Sequence, residues 1–261
     1  MPLAISAKNL QLELGGRTLL DGVDLDLYSG EVTALLGPNG AGKSSLLKIL
    51  CKEHSCSSDK GASLGFFGDD ESNWSRADLA MHLGVLPQHS NLTFSFTVRE
   101  VVELGLMPLQ LQNINSSDLV EEMMNKTGVE HLADRLFPTL SGGEKQRVHF
   151  SRVLTQISQA GDKQILMLDE PTSALDLAHQ HTTLSIARER AQAGAAVIVV
   201  LHDLNLAAQY ADRLVVLNSG TIQADGTPWS ALTALMLEQV YGQQTLVAKH
   251  PKHDYPVVYA I

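Results

Sequence analysis

The sequence predicts an α/β fold: a parallel sheet covered by helices on both faces, with an N-terminal antiparallel β-subdomain and an all-helical insertion. Three observations predict it. Over the second half of the chain, apolar runs of strand length alternate with segments of helical spacing. Nearer the start, the run Val32-Thr33-Ala34-Leu35-Leu36 feeds directly into a glycine-rich loop and then a helical pattern. Between about residues 97 and 135 the strand patterns vanish and apolar positions recur at helical spacing.

The elements follow in order. Residues 5–14 alternate apolar and polar, Gly15-Gly16 marks a turn, and residues 19–27 alternate again, which reads as an antiparallel hairpin. The short run at 32–36 is the first buried strand, and residues 44–51 have helical spacing. Thr97 with Glu100 three residues on has the form of a capping box. The polar stretch 113–118 predicts a loop. Ser141 reads as the N-cap of a helix over 144–154. The alternation then resumes with a strand at 165–168, a helix at 177–193, a strand at 196–201, a helix at 204–210 and a strand at 214–217. No internal repeat or low-complexity tract interrupts the pattern.

Composition narrows the functional classes. A chain of 261 residues with 44% hydrophobic residues builds a full core. The formal net charge of -10 disfavours a nucleic-acid partner and an anionic membrane surface, so any membrane link is expected to run through another protein. Cys51 and Cys56 make no disulfide framework; a metal pair is the alternative, but no matching Cys/His set stands nearby. The N-terminal residues show no charged start followed by an apolar stretch, so a signal peptide is not expected. The longest apolar runs, such as 195–201, fall far short of the roughly 20 residues a membrane helix needs.

Three short segments carry chemistry. Gly37-Pro38-Asn39-Gly40-Ala41-Gly42-Lys43-Ser44 lies between a strand and a helix. Its glycines turn backbone N–H groups onto phosphates, and the helix N-terminus adds a positive dipole end. Lys43 would reach the β- and γ-phosphates and Ser44 would ligate Mg²⁺ through its hydroxyl. Asp169 ends a buried apolar strand, at the sheet edge where ligands bind, and is placed to hold Mg²⁺ through water. Glu170, next in sequence, suits a general base on the attacking water. An Asp-Glu pair followed by Pro171 is on its own an ordinary strand end; the company of Lys43 and Ser44 gives it a catalytic reading.

His202 follows a second buried strand, and sheet geometry would set it beside Glu170 to contact the γ-phosphate and orient the water. Gln88, where the helical insertion begins, is a candidate contact to Mg²⁺ or water. Ser141-Gly142-Gly143 opens a helix with free amides, an anion site or simply a capped helix. The remaining histidines (His54, His82, His89, His131, His149, His179, His181, His250 and His253) form no metal-spacing set and are expected at the surface.

Over nearly its whole length the chain resembles the ATP-binding subunits of ABC transporters, a P-loop NTPase family. Walker A matches Gly37 to Ser44, the Q-loop Gln88, the signature Leu140-Ser141-Gly142-Gly143-Glu144, Walker B residues 165–169, the D-loop Ser173-Ala174-Leu175-Asp176 and the switch histidine His202. The resemblance implies one domain, with 1–88 and 160–261 as ATP-binding core and 89–159 as helical subdomain. It implies ATP and Mg²⁺ as cofactors, with Ser45 joining the Walker A residues at the phosphates and Ser44, Gln88 and Asp169 at the metal. It implies a head-to-tail dimer in which Ser141 and Gly143 of one copy would close on the γ-phosphate held by the other, with Gly142 and Asp176 also among the nucleotide-binding residues. It also implies transmembrane permease subunits as partners, docked through the helical insertion, and a location on the cytoplasmic face of the inner membrane.

Two positions depart from the family pattern. Leu14 stands where an aromatic residue usually stacks on adenine, with Arg17 as the alternative stacking residue, and Glu144 replaces the usual Gln of the signature. Residues 171–180, 201–208 and Tyr241-Gly242 resemble the importer branch for iron chelates, haem and cobalamin. Leu86-Pro87-Gln88-His89-Ser90, Glu144, the extra Gln159-Ala160-Gly161-Asp162 and the tail 250–257 are most similar to haemin import ATPases. The reading is therefore an ATPase energising haemin uptake, with a periplasmic haem-binding protein as an indirect partner. Ferric siderophore or cobalamin as cargo, and a soluble ATPase of iron–sulfur cluster assembly, are the alternatives. A binding module with a dead site is disfavoured by the presence of Lys43, Glu170 and His202.

Overall fold

The computed structural model of the chain describes residues 1–55, 61–88, 95–110 and 115–261. It opens with β1 (Leu3–Leu14) and β2 (Arg17–Tyr28), then β3 (Val32–Leu36), α1 (Lys43–Leu50), β4 (Ser63–Phe66), β5 (Asp69–Asp70), α2 (Arg76–His82) and β6 (Leu83–Leu86). The helical part holds α3 (Val98–Glu103), α4 (Ser116–Thr127) and α5 (Gly142–Gln156). There follow β7 (Ile165–Asp169), α6 (Leu177–Gln192), β8 (Ala196–Val200), α7 (Leu204–Tyr210), β9 (Arg213–Asn218) and β10 (Thr221–Gly226). The chain closes with α8 (Pro228–Ala231), α9 (Ala234–Tyr241), β11 (Thr245–Lys249) and β12 (Pro256–Ala260).

The hairpin expected from the first alternating runs is present. Leu14 pairs with Arg17 across Gly15 and Gly16, whose φ angles of 58° and 74° suit a turn matched to strand twist. With β4 and β5 it forms an antiparallel sheet in the order β2-β1-β4-β5.

The central sheet runs β10-β9-β3-β8-β7-β6. It is parallel from β9 to β6, while β10 pairs antiparallel with β9, so the edge departs from the all-parallel expectation. The reason is the short Ser219-Gly220 link, too short for the crossover that a parallel pair needs. Every residue of β3, β7 and β8 is buried, as expected for strands covered on both faces. Alternate side chains feed two cores. Val32, Ala34, Leu36, Leu166, Leu168, Val197 and Val199 pack with α6, α7 and α9. Leu35, Ile165, Met167, Ile198 and Val200 pack with α1 and the antiparallel sheet.

A third cluster lies in the helical part, where Val98, Val101, Val120, Met124, Phe137 and Val148 meet. Helix α5 bridges the two regions, giving Val148 to this cluster and Phe150, Val153 and Leu154 to the core against the sheet. The capping box on α3 forms as expected, with Glu100 N donating to Thr97 Oγ1 at 3.3 Å and Thr97 N donating to Glu100 Oε2 at 2.7 Å.

The loop expected over 113–118 is corrected in part. Asn113 lies outside the described residues, and from Ser116 onward the segment is the first turn of α4. Asn115 is its N-cap, accepting from Ser117 N, and Asp118 sits in the first turn. Asn, Ser and Asp favour caps and loops for the same reason, a side chain that bonds nearby backbone, so the polar cluster alone did not separate the two. Among the described residues no helix is long and apolar enough to cross a membrane.

Candidate active site

Parallel pairing decides what stands beside what. Leu35 pairs with Val200, and Val200 with Asp169, so β3, β8 and β7 end at one level of the sheet. The segments that follow them carry the glycine-rich loop, His202 and Glu170, which therefore share one edge. They line a cleft of about 440 Å³ with Asn39, Gly40, Lys43, Ser44 and Gln88.

The loop must approach the sheet closely. Gly37 holds φ 143°, and a Cβ there would collide with the Leu217 carbonyl oxygen. Lys43 is buried, and its Nζ donates to the carbonyls of Gly37 at 2.8 Å and Pro38 at 3.0 Å. Burial lowers its pKa, against the opposing charges of Glu170 and Asp169. The Ser44 side chain lies close to Asp169 and favours its charged form. Burial raises the Asp169 pKa, and its Oδ1 is buried with no hydrogen-bond partner among the described residues. A hydroxyl beside a carboxylate with a spare buried oxygen is a donor set for a hard divalent cation.

Glu170 is held at φ 51°, a left-handed conformation uncommon for a residue with a side chain. Its carboxylate is gripped from both sides. Gln88 Nε2 donates to Oε2 at 2.7 Å, and His202 Nε2 lies 2.6 Å from Oε1. Gln88 thus reaches Glu170 from the end of β6, the neighbouring strand to β7. A carboxylate so placed beside the phosphate loop can accept a proton from water.

The signature segment lies apart from this cleft. Ser141 and Glu144 form a full capping box: Ser141 N and Oγ each donate to Glu144 Oε2 at 2.7 Å, and Glu144 N donates to Ser141 Oγ at 3.3 Å. The Ser141 hydroxyl, then its amide, hold the Glu144 carboxyl below the usual range. The unusual Glu144 therefore does the capping that a Gln would also do. Ser141, Gly142 and Gly143 line a second cleft of about 380 Å³ with Arg147, Ala174, Asp176 and His179. Asp176 caps α6, accepting from His179 N at 2.9 Å. The two clefts share no lining residue.

Several positions differ from or add to what the sequence predicts. His149 is buried rather than at the surface, ring against Phe137 at 5.0 Å, because helix α5 has protein on two sides. His89 and Cys56 lie outside the described residues, and the Cys51 thiol is pushed up to about 11 by burial. Leu14 is half-exposed at the hairpin end opposite Arg17. Tyr241, unassigned from the sequence, sets its hydroxyl close to the backbone of Gly37, the first residue of the phosphate loop. The available signal was an aromatic residue just before Gly242, a left-handed helix stop that anchors α9 there.

Comparison with known proteins agrees with this geometry. The family model described as "ABC transporter" matches residues 20–173. The chain is 61% identical over 258 residues to the hemin import ATP-binding protein HmuV of Photobacterium damsela subsp. piscicida, covering 99% of this chain and 96% of that one. It is 58% identical to the protein of the same name from Vibrio cholerae, covering 98% of each. Its fold is similar to that of a metal-chelate type ABC transporter in an inward-facing conformation, with a TM-score of 0.79 and 25% identity, covering 100% of this chain and 98% of that one.

Proposed function

The chain belongs to the ATP-binding subunits of ABC transporters and hydrolyses ATP, and from that premise we propose that it energises haemin uptake through an inner-membrane permease. The cargo rests on identity of 61% along nearly the whole chain to proteins named for hemin import. The chemistry rests on one observation, the Gln88–Glu170–His202 contact beside Lys43.

In this reading the loop amides of 37–43 and Lys43 hold the β- and γ-phosphates. Ser44, Asp169 and Gln88 would hold Mg²⁺, whose charge offsets that of the phosphates. Glu170 takes the proton of the attacking water, and His202 orients that water toward the γ-phosphate. Ser141, Gly142, Gly143 and Asp176 form the face that closes on the nucleotide of a second copy, so ATP joins two copies and hydrolysis releases them. The helical part, built on α3, α4 and α5, docks the permease, and a periplasmic haem-binding protein delivers cargo on the far side.

Two experiments test this. Glu170→Gln is expected to bind ATP, lose turnover and trap a dimer; unchanged turnover would remove Glu170 as the base. A pull-down from detergent-solubilised membranes is expected to recover a polytopic permease together with a haem-binding protein. Recovery of a siderophore- or cobalamin-binding protein instead would reassign the cargo, and recovery of only soluble cluster-assembly proteins would overturn the transport role.

A further inference from the structure

Helix α5 does more than present Ser141, Gly142 and Gly143. In its second turn lies Gln146, whose Nε2 donates to the main-chain carbonyl of Glu170 at 3.0 Å. The same carbonyl accepts from Ser173 N at 3.3 Å and Ser173 Oγ at 3.1 Å, both within the turn that follows β7. Gln146 therefore adds a hold on Glu170 from a separate element. The amide orientation is forced, because only its NH₂ end can face a carbonyl oxygen. Its other end, Oε1, is buried with no partner among the described residues. A buried amide left half-satisfied costs stability, so the retained bond to Glu170 has a functional reading.

The surroundings make the link stiff. A Cβ on Gly143 would come within 2.7 Å of Ala174 O, so the start of α5 lies directly on the loop after Glu170. Glu170 itself is held at φ 51°, a conformation that persists only when neighbours fix it. The orientation of its peptide sets where the carboxylate stands relative to Gln88 and His202.

We propose that Gln146 is a positioning residue for hydrolysis, holding the Glu170 main chain in register with the helix that carries Ser141, Gly142 and Gly143. Displacement of α5, as its N-terminus closes on the nucleotide of a second copy, then moves the base of its own site. The proposal rests on the reading of Glu170 as general base.

The test uses the purified full-length chain and steady-state ATP hydrolysis. Gln146→Met keeps the side-chain shape and removes the N–H donor. It is expected to lower kcat about tenfold while KM for ATP stays within about twofold. Gln146→Leu also lacks the donor and is expected to behave the same way. Gln146→His, whose Nε2–H reaches a similar position, is expected to recover kcat to within about threefold of the parent. Wild-type kcat in Gln146→Met, a KM that rises in step with the loss, or a His variant no faster than Met would overturn the proposal. Should Gln146→Met fail to fold, Gln146→Leu carries the same arms. Glu170→Gln run in parallel tests the premise separately: turnover persisting there refutes the base assignment, whatever the Gln146 variants do.

Discussion

His202 Nε2 lies 2.6 Å from Glu170 Oε1, joining the residues that follow two adjacent strands. With Gln88 on Oε2 at 2.7 Å, both carboxylate oxygens are engaged. Each oxygen keeps a further lone pair, so Gln88 and His202 fix the direction of the carboxylate while leaving it able to accept from a water.

Removing the imidazole should therefore disturb catalysis more than binding. His202→Ala is expected to lower kcat by about 10²-fold, with KM for ATP little changed, since the ring acts on the water and the base. Steady-state kinetics over a range of ATP concentrations checks the split.

Lys43 is expected to govern nucleotide affinity. Its ammonium rests on two carbonyls of its own loop and is the one Lys or Arg among the described residues lining the cleft. Lys43→Met should weaken ATP binding by about 10- to 100-fold, the worth of charge-assisted hydrogen bonds. A fluorescent-nucleotide titration measures it, and the fold should survive by circular dichroism.

His149 predicts a pH-dependent stability unrelated to catalysis. Its imidazole is pushed down from 6.5 to about 4, first by burial and then by the charge of Arg152. Neither ring nitrogen has a hydrogen-bond partner among the described residues. As pH falls through 6.5 the unfolded chain takes up a proton that the folded chain refuses until about 4. Stability is thus fully present above pH 6.5 and declines toward pH 4, by at most about 3 kcal/mol. In His149→Leu the dependence of Tm on pH across that window should flatten, as thermal melts at several pH values would show.

Tyr241→Phe should loosen the phosphate loop from the C-terminal helix. The hydroxyl that lies close to the Gly37 backbone is lost while the ring remains packed. The expected cost is about 1 kcal/mol in a denaturant titration, with weaker ATP binding. An unchanged midpoint would mean the hydroxyl contributes nothing.

Much of the fold was legible because its signals are local. Val32-Thr33-Ala34-Leu35-Leu36 reads as a buried strand from composition, and the strand occupies those five residues. Thr97 with Glu100 and Ser141 with Glu144 announce helix starts through side chains that bond backbone three residues away. One composition can suit two structures: the polar residues 115–118 serve a cap as well as a loop. β4, β6 and the β11–β12 hairpin are not legible in the sequence, because their short runs carry little periodicity of their own.

By itself the sequence determined the chemistry on offer: a loop for phosphates, a hydroxyl and a carboxylate for a cation, a Glu for water. It also determined the strands and caps that carry them. The expectation that His202 stands beside Glu170 also held, while tertiary structure alone decided that Gln88 meets the same carboxylate, that Gln146 reaches Glu170, that Tyr241 lies close to Gly37 and that His149 is buried. Those contacts join residues far apart in the chain. Their distances are set by the parallel register of β6, β7, β8 and β3 and by how α5 and α9 pack on that sheet, which no local pattern encodes.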